Sequence, residues 1–171
     1  MNLHPQAVRL VLSQGLPVTV DIVTASMTPT IRTGEQVRIE PVDEDVHPGD
    51  IVLIMSSTEA ELVLHRVIRL FAEGGQRFVI HQGDAESSYF GTCLREAVLG
   101  RAVEFPLTPA RALPTLEELD RESLKRFQRR RRVSLLYLLG RRTMFSLRGI
   151  DPALARRLAS MYRKLASKVF G

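Results

Sequence analysis

Apolar and polar positions change rhythm twice along this chain. Between residues 17 and 105, short runs rich in β-branched residues are set off by turn signals: Pro17 to Val23, Gln36 to Glu40, Asp50 to Met55, Leu62 to Phe71, Arg77 to His81 and Leu99 to Phe105. Such runs suit a pleated, half-buried surface, so each predicts a strand. Gly34, Pro48 with Gly49, Gly74 with Gly75, and Gly83 punctuate them where φ must turn positive or is fixed by proline. Ahead of the strands, Pro5 to Ser13 predicts a short helix with Ala7, Leu10 and Val11 on one face. Past Pro106 the rhythm becomes helical. Thr115 with Glu118 three residues on forms a capping box, and Asp151 with Pro152 starts a second helix that carries Leu154, Leu158, Met161, Tyr162, Leu165 and Val169 at helical spacing. The sequence therefore predicts an α+β chain, mainly β over residues 1–106, followed by a helical tail over 107–171.

Charge sharpens that division. Residues 1–106 hold 8 Arg, no Lys and 14 acidic residues, a net of −6; residues 107–171 hold 16 Lys and Arg against 5 acids, or +11, and the sum is the +5 of the whole chain. The run Arg129 to Arg132 reads first as a solvated helix face, and the cationic tail as a whole as a surface for anionic lipid, with nucleic acid the lesser expectation. At 171 residues there is room for one domain of about 100 residues and an appendage. A single cysteine, Cys93, excludes intrachain disulfides and paired-cysteine zinc sites, and reads as a small buried hydrophobe. No apolar run approaches the roughly 18 residues of a membrane span, and Met1 to Gln14 does not read as a secretory signal. The expected location is cytoplasmic or peripheral to a membrane, and no cofactor or metal is expected.

The stretch Thr24 to Ile31, followed by Gly34 and Glu35, carries the candidate chemistry. Ser26 precedes Pro29 in a segment that must turn, and a turn can present a hydroxyl at a sheet edge. Serine is inert until a base takes its proton. The β segment offers no lysine, because Lys125, Lys164 and Lys168 all lie in the tail. Of His4, His47, His65 and His81, only His65 sits inside an apolar strand, between Leu62 and Ile68, where burial can tune its pKa. Read alone, Ser26 is a turn serine, His65 a core histidine, Asp84 a turn cap and Asp50 a structural residue.

Four segments in order change that reading. Ser26 to Ile31 with Gly34 and Glu35, Pro48 to Val52, Leu64 to Val67, and His81 to Asp84 resemble the sequence boxes of signal peptidase I, in the branch that pairs serine with histidine. The resemblance spans residues 20 to 103 and implies the mainly β fold of the signal-peptidase and repressor-protease superfamily. It implies a serine endopeptidase that cleaves after small residues, with Ser26 as nucleophile and His65 as general base. Asp84 would orient His65, while the Ser26 N–H and the Thr24 hydroxyl would form the oxyanion hole. Pro29, Gly34, Asp50 and Gly83 would be structural members of the boxes. Relatives often carry a second aspartate after the last box, where this chain has Glu86 to Phe90, and their membrane anchor has no counterpart in the 25 residues before Ser26. The rival expectation is a repressor-like or membrane-surface binding module, in which the β domain is no general protease and the tail binds DNA or anionic lipid.

Overall fold

Residues 4–42, 46–56, 60–86, 90–104 and 121–146 are described by the computed structural model. The strands are β1 (Val18–Asp21), β2 (Gln36–Pro41), β3 (Ile51–Met55), β4 (Leu62–Glu73), β5 (Gln76–Gln82), β6 (Gly91–Leu94) and β7 (Val98–Glu104). Every run that the pattern singles out forms one of them. Only β6 was not foreseen, since Gly91 to Leu94 is four residues long and has no alternation to read. The strands make one curled, antiparallel, seven-stranded sheet in the order β1-β2-β7-β3-β4-β5-β6.

At β3 both faces of the sheet are buried, which explains why that strand reads as an unbroken apolar run. Alternate residues of β3 point to opposite sides: Ile51 and Leu53 join one core with Met27, Ile31, Val37 and Ile39, while Val52 and Ile54 join a second with Val67, Val79 and Val98. Helix α1 (Pro5–Ser13) caps the first core. His4 caps its N-terminus, Pro5 occupies the first turn, and Gly15 at φ 78° ends it. Its buried face is Val8 and Leu12 rather than the expected Ala7 and Leu10, which are exposed. The two larger side chains four residues apart bury more apolar area than an alanine can, so truncating Leu12 to Ala costs about 2–5 kcal/mol.

The β4–β5 hairpin turns through Gly74 and Gly75 at φ 59° and 78°, the positive-φ pair that matches strand twist in a two-residue turn. Beyond it Phe71 stacks on its cross-strand partner Phe78, ring centroids 5.1 Å apart. Pairing then slips by one residue between Arg69 and Val67, where Ile68 is bulged out of the ladder.

Helix α2 (Arg121–Ser146) carries the basic run: Arg129, Arg131 and Arg132 are exposed, whereas Phe127, Val133 and Ser134 are buried. The chain divides into two compact units, Met1–Phe127 and Gln128–Gly171. The expected boundary at residue 106, the capping box at Thr115 and Glu118, and the helix after Asp151 lie outside the described residues. Among those described, no helix is long and apolar enough to cross a membrane.

Candidate active site

The loop that presents Ser26 joins β1 to β2 and is closed at its neck. The Ile22 N–H donates to Glu35 O at 2.9 Å and the Gly34 N–H to Ile22 O at 2.7 Å, with Gly34 at φ 89°, a conformation that excludes ordinary side chains. Met27 and Ile31 bury themselves in the first core, and Pro29 between them follows a cis peptide bond. Ser26 is thereby held at the surface, half-buried, beside an anchored neighbour. Its hydroxyl meets Thr24 Oγ1 at 3.3 Å, while its N–H makes no hydrogen bond among the described residues.

The loop after β5 grips the backbone of the same serine. Ala85 N–H donates to Ser26 O at 2.9 Å, and the Cα of Gly83 lies so close that a Cβ there would stand 2.5 Å from Ser26 O and 3.2 Å from Ser26 Cβ. Gly83 is therefore required by close approach and not by a positive φ, which corrects the expectation from the turn pattern. Arg66 pairs with Gln82, and one step along that register brings Gly83 opposite His65. Ser26 thus rests on the cross-strand neighbour of His65, and Ser26, Thr24 and His65 line one open cleft of about 840 Å³. Among the described residues no hydrogen bond joins Ser26 to His65.

No hydrogen bond joins Asp84 to His65 among the described residues. The Asp84 carboxylate accepts from Arg66 Nε at 2.9 Å, Arg66 Nη2 at 2.6 Å and Thr30 Oγ1 at 2.6 Å. The remaining Arg66 nitrogen, Nη1, donates to Gly49 O at 2.8 Å. Arg66, itself in the third box, is thus a hub that binds the other three, through Thr30, Gly49 and Asp84. The cause is the bulge at Ile68. Had the register of the glycine turn continued unbroken, Asp84 would have fallen opposite His65. Asp50 is structural: its carboxylate accepts the His47 N–H at 2.8 Å and closes the turn at Pro48 and Gly49.

His65 instead meets His81, Nδ1 to Nδ1 at 3.0 Å, with the rings inclined at 46°. Both imidazoles are buried, at 7% and 9% exposure. Burial lowers the His65 pKa and outweighs the attraction of Glu86 and Asp84 for its proton. Burial, together with the neighbouring His65, lowers His81 to about 4. His65 is therefore neutral at pH 7, the state a base needs. The sequence left His81 unassigned, and only the hairpin register, counted through the bulge, could have revealed it.

The cleft walls are mainly apolar, with Met27, Leu53, Leu62 and Leu64 among them, and Asp21 and Glu61 stand at the cleft. Cys93 on β6 pairs with Val79 of β5, half-buried against the second core, where burial pushes its thiol up to about 11. Among the described residues no cluster of three metal-binding side chains occurs. No protein-family model matches the chain, and neither a curated protein nor a solved structure matches it.

Proposed function

We propose that the chain is a serine endopeptidase of the signal-peptidase type, cleaving peptide bonds after small residues. The observation that carries this reading is a hydroxyl and a neutral imidazole on the wall of one cleft, with the backbone of that serine clamped by the loop after β5. Ser26 Oγ attacks the scissile carbonyl as its proton passes to His65. The oxyanion of the tetrahedral intermediate is stabilised by the Ser26 N–H and the Thr24 hydroxyl, and His65 then returns the proton to the departing amine. Desolvation assists by keeping His65 uncharged until that transfer.

A fluorophosphonate probe tests the reading, since it forms a stable bond only with an activated serine. Wild type is expected to label at one site, with Ser26→Ala and His65→Ala slowed at least about 10³-fold. Equal labelling of wild type and Ser26→Ala would overturn it.

The cationic segment supports a place for this activity. Helix α2 exposes Lys125, Arg126, Arg129, Arg131 and Arg132, and each basic contact with an anionic bilayer contributes about 1 kcal/mol. The full chain is expected to float with phosphatidylserine vesicles and be released by 0.5 M salt, at which the Debye length falls to roughly 4 Å. Absence of flotation would remove the membrane role.

A further inference from the structure

The proposed mechanism uses one of two buried imidazoles and leaves the other without a task. His81 stands on β5, its Nδ1 3.0 Å from His65 Nδ1, and its ring fills the space over Gly91 on β6. That space exists only because residue 91 has no side chain: a Cβ there would collide with the imidazole, 2.5 Å from its Nε2. The seat is specific to an unsubstituted neighbour. Asp84, the nearby carboxylate, is engaged with Arg66 and Thr30.

Two ring nitrogens at this distance require one hydrogen between them. With none, two lone pairs face each other; with two, two N–H donors point at one another with no acceptor between them. The hydrogen therefore belongs to one ring, and the choice fixes both tautomers. If His81 donated, His65 would carry its remaining hydrogen on Nε2 and could accept nothing there. We propose that His81 is a positioning residue, whose Nδ1 accepts the His65 Nδ1–H and so keeps His65 Nε2 bare to receive the Ser26 proton. This rests on the reading of His65 as the base of Ser26. When that proton arrives, the Ser26 O–H bond breaks, an N–H bond forms at His65 Nε2, and the Nδ1–H bond to His81 becomes charge-assisted. The orienting group is neutral, so the imidazolium is stabilised by a dipole nearby and by Asp84 and Glu86 further off.

Nitrogen-detected NMR of the ¹⁵N-histidine-labelled full chain at pH 7 decides the tautomers. His65 is expected to be protonated at Nδ1 and bare at Nε2, and His81 the reverse. Finding His65 protonated at Nε2 would overturn the inference whether or not the protein is a peptidase. A second arm compares fluorophosphonate labelling of His81→Phe, which fills the seat without an acceptor, and His81→Asn, which restores an acceptor oxygen. Labelling should fall about 10- to 100-fold in the first, less than the ~10⁴-fold that follows when a charged orienter is lost, and recover in the second. Equal rates in wild type and His81→Phe, with both folded by thermal melting, would also overturn it. No labelling of wild type would instead refute the peptidase reading and leave the tautomer result standing.

Discussion

Replacing Asp84 separates two roles that a carboxylate near a histidine can play. The Arg66–Asp84 pair is 5% and 9% exposed on its two side chains, and three hydrogen bonds of 2.6 to 2.9 Å converge on the carboxylate. Removing one partner of such a pair leaves a guanidinium buried without its counterion, which costs about 3–5 kcal/mol. Asp84→Ala should therefore lower the melting temperature by about 10–20 °C, read by circular dichroism. Asp84→Asn, which keeps an acceptor oxygen, should fall between Ala and wild type. Replacing both partners by leucine should recover much of the loss, because no charge is then stranded. If Asp84 oriented His65 instead, Asp84→Ala would melt within a few degrees of wild type and yet fail to label with fluorophosphonate. That pair of results would refute the assignment of Asp84 to Arg66.

Three further outcomes follow from the geometry. Gly83→Ala forces a methyl against Ser26 O, and should slow fluorophosphonate labelling at least about tenfold while costing about 1–3 kcal/mol in urea denaturation. Acid should destabilise the fold. An unfolded His81 gains its proton near 6.5 and the folded one only near 4, so stability is lost as pH falls between those values, by about 3 kcal/mol for this group; His81→Phe should flatten the slope. Cys93, its thiol at about 11, should resist iodoacetamide at pH 8 in the folded protein and react on unfolding.

Strands were legible because apolar spacing and glycine turns are local signals. Val18 to Asp21 and Ile51 to Met55 could be read without knowing what they pack against. The buried face of α1 was less so, since Ala7, Val8, Leu10, Val11 and Leu12 crowd a nine-residue helix and only the cores select Val8 and Leu12. Ser26 and His65 stood out as residue types in boxes. Their surroundings did not, because the jobs of Asp84, Arg66 and His81 depend on cross-strand partners that a single displaced residue rearranges. Gly83 and Gly91 illustrate the same limit: a glycine needed for conformation shows itself in a turn pattern, but one needed to make room for another residue does not.

The Arg66 cluster has a consequence for how the hairpin finds its alignment. β4 has two ways to meet β5, one with Ile68 looped out and one unbroken, and in the second every side chain from Leu62 to Val67 would change sides. Hydrophobicity discriminates poorly between them, because both sides of the sheet are apolar. The guanidinium does discriminate: turned over, it would forfeit Thr30, Gly49 and Asp84 together. Arg66 thus acts as a registration pin, and a chain with methionine in its place would be free to assemble the strand the wrong way round, with Ser26 and His65 facing apart in an otherwise well-formed sheet.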